Sequence, residues 1–424
     1  MDFKVPVRKL GDDDKEKELP GFRPSSELPE HTEETKAVPT DIEQLTNDPT
    51  DLMLDREKES LGIRTEDTSD EKPVKPKKKA SKKQIIVLLV ILVIVALGAA
   101  ATLLLPKYLE KDDSPATPTE NAEQVKTDDK PALIPAPITG TDVSAEIAAR
   151  PVTAIMIENS VEARPQSGLY DADMVVEAIA EGGITRFVSL FQSGQPSVIG
   201  PIRSARPYYV DIAKTFDAAY VHAGGSPDAL ARITELGVKD MSAFENNGTY
   251  YREDSRSAPH DLYSGMSKID ERRTALGFTK SEFTSWKHKS DSAQTPTAST
   301  IDFAISSPLY NPTFTYDSAT NSYLRSQDGE PHTDQLANKQ INPKVVLAII
   351  TNRSQEGIYS NYRLTGTGEI RVFQDGIASE GTWSKDSVTS QFVFKDKNGL
   401  EFVFNKGQIW VSLIESLSDI NYAP

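Results

Sequence analysis

The longest apolar run lies between Ile85 and Leu105, IIVLLVILVIVALGAAATLLL, with no charge and Thr102 as its only polar side chain. Its 21 residues, at 1.5 Å rise each, match a hydrocarbon core about 30 Å thick, and a buried soluble helix of that length normally keeps a polar face. The pattern predicts a single transmembrane helix over 85–105, with the lipid bilayer as its partner. Further along, the apolar runs shorten. Val152–Ile157 reads as a buried strand, and Met174–Ala180 with Ile184–Phe191 flank Gly182-Gly183 as a hairpin. A helix over 171–181 is the competing reading, because Asp173, Glu177 and Glu181 recur every four residues. Pro207 opens a helix through Phe216, Ala218–His222 is a strand, and Ser226 with Pro227 starts a helix to Leu236. Lys268–Leu276 is a further short helix closed by Gly277. Strands and helices in alternation predict an α/β domain over 138–285.

Past a polar gap at 286–299, helix signals stop. Val345–Thr351, Glu369–Gln374, Phe392–Lys395, Leu400–Phe404 and Ile409–Ile414 are strand-like, with Asp375-Gly376 and Asn398-Gly399 as hairpin turns. Residues 300–424 are therefore expected to form a mostly-β domain, with Phe392, Phe394, Phe402 and Phe404 on one face of a ribbon and Trp383 and Trp410 in its core.

Charge sets the orientation of the span. Lys72, Lys75, Lys77, Lys78, Lys79, Lys82 and Lys83 precede it, whereas Lys107, Glu110, Lys111, Asp112 and Asp113 nearly cancel behind it. Positive charge stays inside, so 1–84 is expected in the cytosol and the C-terminal domains outside the cell, behind an uncleaved signal anchor. Residues 1–71 hold 21 acidic against 10 basic side chains without periodicity, which reads as a disordered tail. The Pro- and Thr-rich stretch 106–137 reads as an external linker.

Composition mainly excludes. With no cysteine, disulfides, thiol nucleophiles, thiolate metal sites and a cysteine-linked lipid are out. A net charge of −16 argues against nucleic acid as a partner. Five histidines, and no phosphate-loop, zinc-protease, serine-elbow, calcium-loop or dinucleotide motif, leave no metal or cofactor expected.

The candidate chemistry lies in loops. In IGPIRSARPYYVD (199–211), Arg203 and Arg206 stand where a helix begins, an unfavourable place for cations unless a phosphate or carboxylate ligand shares it. The competing account is neutralisation by Glu177, Glu181 or Asp211. His222 ends a strand before Gly224-Gly225, and Arg256 and His260 sit among aromatics in YYREDSRSAPHDLY (250–263). Arg203, Arg206, His222, Arg256 and His260 are the expected ligand-binding residues.

These segments resemble the YerB-like lipoprotein family of bacteria, in RPQSGLYDADMVVEAIAEGGITRFVSLFQ (164–192), GPIRSARPYYVDIA (200–213), YVHAGGSPDAL (220–230) and RSAPHDLY (256–263). A spaced pattern DG, GTW, NG and GQIWV, ending at Val411, extends the resemblance over 138–414. Family lipoproteins carry a lipidated cysteine; here a membrane helix stands in its place. The resemblance implies an outward-facing envelope protein built of two domains of unknown function, and brings no catalytic residues. About a third of the first domain is similar to the LytR–CpsA–Psr phosphotransferases, by analogy only.

The expected function is a membrane-anchored, extracytoplasmic envelope protein that binds an anionic or glycan ligand, such as a cell-wall polymer, or a partner protein near the outer leaflet. The alternative is a phosphotransferase or hydrolase acting on a lipid-linked pyrophosphate. In that reading Arg203 and Arg206 hold phosphates, Asp211 or Glu177 a divalent cation, and His222 is the base. A third reading makes the external domains a scaffold for wall or division machinery.

Overall fold

Residues 132–424 are described by a computed structural model. The expected tail 1–84, the span 85–105 and the linker up to residue 131 lie outside the described residues. Among those described, no helix is long and apolar enough to cross a membrane. The end of the expected linker is folded, since Ile134–Pro135 pairs with Asp142–Val143.

Strands from both halves of the chain share one 12-stranded sheet. Met174–Glu181 and Ile184–Phe191 form the hairpin that the glycine pair predicts, and the helical alternative over 171–181 does not occur. β-Branched and apolar residues fill both faces of Met174–Glu181, and its register leaves Glu177 inside. The hairpin sits mid-sheet. On one side Ile184–Phe191 pairs antiparallel with Thr153–Glu158, followed in parallel by Ala219–His222 and Lys239–Ser242. On the other side Met174–Glu181 pairs in parallel with Ile409–Ile414, which pairs in parallel with Val345–Ile350. The long hairpin Gly366–Gln374 and Ile377–Lys385 and then Val393–Asp396 extend that flank. Six strands thus run the same way, from the far half of the chain to the near one.

The sheet has a layer on each face. Pro207–Thr215 and Pro227–Glu235 cover one, burying Tyr208, Tyr209, Ile212, Ala229 and Ile233 beside Trp383, Phe392, Phe394 and Phe404. Ser226 caps the second helix by accepting from the Ala229 N–H, as its sequence predicts. Met266–Ala275 and a five-stranded sheet built from 300–331 and 420–423 cover the other face, with Met266, Ile269, Phe303, Phe314 and Tyr323 buried. Trp383 and Trp410 are buried, as expected for core. Phe392 and Phe394 stack at 5.8 Å and Phe394 meets Phe404 at 5.9 Å, as the ribbon pattern predicts.

The 286–299 segment, expected as a gap between two globular parts, is tied down. Lys287–Lys289 pairs in parallel with Val403–Asn405. Asp375, in the Asp-Gly turn, accepts from the Ser292 N–H at 2.9 Å, Lys289 Nζ at 2.5 Å, Asn321 Nδ2 at 2.9 Å and Asn405 Nδ2 at 2.6 Å. Turn chemistry is visible in sequence, but a carboxylate that gathers three distant segments is not.

Candidate functional site

The parallel strands end on one edge of the large sheet, where ligands of α/β proteins bind. Glu158, Glu181, His222 and Ser242 are the last residues of four of them. The loop 199–206 lies across this edge. Its Arg203 N–H donates to Met156 O at 3.1 Å, its Arg203 O accepts from the Ala223 N–H at 3.0 Å, and its Ala205 N–H donates to Gly224 O at 2.9 Å. A Cβ on Gly225 would stand 3.1 Å from the Ala205 side chain, so this close approach favours glycine there.

Two clusters form on the edge. In the first, Glu158 ion-pairs with Arg203 Nε at 3.3 Å and accepts from His260 Nδ1 at 2.9 Å. Burial pushes Glu158 up, but the His260 hydrogen bond and the Arg203 and Arg186 charges outweigh it and hold the carboxyl below the usual glutamate range. The carboxylate takes the Nδ1–H, which leaves the lone pair of a neutral ring on Nε2. No described residue hydrogen-bonds that nitrogen, and the side chain is 22% exposed. In the second cluster, Glu181 bridges Arg186 and Arg206, the latter at 2.5 Å. A register shift between Ile179 and Glu181 re-aims this side chain. Arg186 Nη1 donates to Ser204 O at 2.8 Å, and Arg206 lies 4.8 Å from the Tyr359 ring centre.

The other expected residues go elsewhere. His222 is buried with Nδ1 2.8 Å from Gly224 O and Nε2 2.9 Å from Asp240 Oδ1, so both nitrogens face acceptors and neither is placed to take a substrate proton. Arg256 clamps loops together, donating to Glu162 O at 2.9 Å and Pro165 O at 2.7 Å. Asp211 is bound by Arg232 from the next helix, although burial keeps its carboxyl above the usual aspartate range against that pull. Glu177 is fully buried, 2.9 Å from Arg325 Nη2. Neutralisation of the arginines therefore holds for Arg206 through Glu181. Glu177 and Asp211 do not serve in it; Glu158 does, for Arg203. The catalytic set of cation-holding Asp211 or Glu177 with basic His222 does not assemble around the two arginines. Among the described residues, no three His, Asp or Glu side chains converge as a metal site.

Sequence reasoning missed Glu158 and Arg186. Both had a faint signal, a lone charge closing or opening an otherwise apolar strand, at Glu158 after TAIMI and Arg186 within ITRFVSLF. The interior partners of Glu177 had none. Arg325 turns both Nη groups to polar side chains, Nη2 to Glu177 and Nη1 to Gln327 at 2.7 Å and to His332 Nδ1, and stacks 4.6 Å from Trp410. Thr185 and the Trp410 indole N–H donate to the same carboxylate.

Family models match twice. Residues 138–279 match the N-terminal domain, and 301–411 the C-terminal domain, of "Protein of unknown function (DUF3048)". The chain belongs to this family. It is 31% identical over 291 residues to the Bacillus subtilis (strain 168) protein named "Putative lipoprotein YerB", covering 66% of this chain and 86% of that one. The crystal structure of the YerB protein from Bacillus subtilis is similar with a TM-score of 0.63 and 28% identity, over 69% of this chain and all of that one.

Proposed function

We propose that the chain is an extracytoplasmic, membrane-anchored envelope module that binds an anionic ligand through the loops on the carboxyl edge of its sheet. The run 85–105 serves as the anchor where the Bacillus relative is named a lipoprotein, and the lysines before it keep the N-terminus in the cytosol. The observation that carries the binding reading is the gathering of Arg203, Glu158 and His260 at strand carboxyl ends, beside a second cluster in which Glu181 holds the buried Arg186 and Arg206. A guanidinium already aligned by a carboxylate is a prepared donor for phosphate or uronate oxygens. Anionic wall polymers and lipid-linked precursors carry those groups.

The test uses the full chain in detergent with purified wall polymer or lipid-linked precursor. Arg203→Ala combined with Arg206→Ala is expected to weaken binding at least about tenfold, since charge-assisted hydrogen bonds contribute about 1.5–3 kcal/mol each. Unchanged binding with an unchanged circular-dichroism spectrum overturns the reading. Protease added to intact cells is expected to digest 138–424; protection of that part rejects the external location.

A further inference from the structure

One buried imidazole holds a loop of the proposed site and does not touch its Glu158, Arg203 and His260 cluster. His332 is 6% exposed and hydrogen-bonded on both sides. Nδ1 accepts from Arg325 Nη1, and Nε2 lies 2.9 Å from Gln166 Oε1, to which it donates. An arginine has no lone pair to offer, so the first contact exists only when Nδ1 carries none of the ring's protons. The ring also packs between Phe187 at 6.0 Å and Trp410 at 6.3 Å.

Gln166 is the pin of the loop 159–170. Its Nε2 donates to Glu158 O at 2.9 Å and Asn159 Oδ1 at 3.0 Å, and its backbone carbonyl accepts from the Gln335 N–H at 2.7 Å. The same loop supplies Ser160, 3.4 Å from His260 Nδ1, and the two carbonyls that hold Arg256. A change at His332 is thus passed to the loop that frames the Glu158–His260 pair.

We propose that His332 is an acid-sensitive latch: protonation of its ring turns the Arg325 contact into opposed N–H groups and releases Gln166 and the loop 159–170. The charged groups around the ring favour this outcome. Arg325 faces it from the Ser322–Gln327 strand and Arg164 from the loop itself. Glu177, on the large sheet, is occupied by both its bonds to Arg325, by Thr185 and by Trp410, and makes no hydrogen bond to the ring. Phe187 and Trp410 bring no charge. Burial and the two guanidiniums accordingly hold the imidazole well below its usual range.

The sign follows from linkage. The latched state excludes the proton while the released state takes it at an ordinary histidine pKa of about 6.5, so the latch is at full strength above that pH. Below it, release becomes about tenfold easier per pH unit, or roughly 20- to 30-fold between pH 7 and pH 5.

The latch rests on the proposed binding function only for its purpose; its test needs no ligand. Amide exchange of the full chain in detergent, corrected for intrinsic rates, is expected to accelerate in 159–170 by that factor from pH 7 to pH 5. In His332→Gln the carboxamide accepts from Arg325 and donates to Gln166 without titrating, so the acceleration should vanish there. Equal acceleration in both proteins, which His260 or His222 would produce, overturns the latch, and so does none in the wild type. If the variant does not fold, the ring proton shifts of wild-type His332 decide. They should stay at neutral values as the pH falls through about 6.5, where an ordinary histidine is half protonated, and titration at about 6.5 in the latched protein rejects the proposal. Ligand affinity is measured in parallel, and a lack of binding would refute the binding function while leaving the exchange result standing.

Discussion

Two clusters in this protein use the same three side-chain types to opposite effect. In the interior, Glu177, Arg325 and His332 form a knot in which the carboxylate and the imidazole have partners on every side and Arg325 and Glu177 are 0% exposed. On the edge, Glu158, Arg203 and His260 repeat the composition, yet one imidazole nitrogen faces outward and the arginine sits on a loop. The difference lies in where each stands along its strand. Glu177 is mid-strand, where the second sheet must seal it. Glu158 is the last residue of its strand, and only loops cover it. A buried ion pair whose carboxylate is partnered on every side specifies how two layers meet; one at a strand end offers a surface to a ligand.

The sharpest way to break the comparison is to remove one interior partner. Arg325→Met leaves an ionised or proton-hungry Glu177 with no cation, and is expected to cost about 3–5 kcal/mol in denaturant unfolding, the range for a broken buried pair. The double variant Glu177→Leu/Arg325→Met should recover most of this loss, because the site is walled by Phe187, Phe314 and Trp410 and welcomes apolar groups. A double variant as unstable as the single would show that Thr185, Gln327 and His332, left without their partners, dominate instead.

Asp375 tests the intermediate case, a buried carboxylate that binds a lysine and amides rather than an arginine. It is 2% exposed. Burial alone would raise it, but bonds from Lys289, Asn321, Ser292 and Asn405 bring the carboxyl down to about 2. A depressed carboxyl stabilises the fold fully above its unfolded value near 4, and that contribution is lost as pH falls from about 4 to about 2. Asp375→Asn should therefore lower stability by about 2 kcal/mol at pH 7. The deficit should close as the wild type is titrated below pH 4, and a pH-independent deficit would reject the ionic account.

How much of this was readable in the chain depends on range. The hairpin at Gly182-Gly183, the helix starts at Pro207 and Ser226-Pro227 and the turn at Asp375-Gly376 are local chemistry, and each stands where its residues put it. Ile409–Ile414 was readable as a strand, but its place beside Met174–Glu181 was not, because a strand buried along its whole length carries no mark of its neighbour. The same limit hid the interior knot. Arg325 meets Glu177 across 148 positions, and nothing near either residue announces the other. The arginine loop was legible as a concentration of charge at a helix start. The identity of its carboxylates was half legible: Glu181 was among the candidates, whereas Glu158, just past the expected strand Val152–Ile157, was not.

The edge cluster should be the least important to stability and the most important to binding. His260→Gln replaces rather than removes the donor to the buried Glu158, on a side chain that is 22% exposed, so the loss should stay at about the 0–1 kcal/mol of exposed pairs. Its unfolding free energy should therefore fall by less than about 1 kcal/mol, well under the interior variants. Binding of the anionic polymer is the contrasting measurement. If the outward Nε2 takes part, affinity drops several-fold in His260→Gln while thermal unfolding barely moves. A large loss of stability with unchanged affinity would put His260 in the same class as His332, a residue that closes the fold, and would leave Arg203 to meet the ligand.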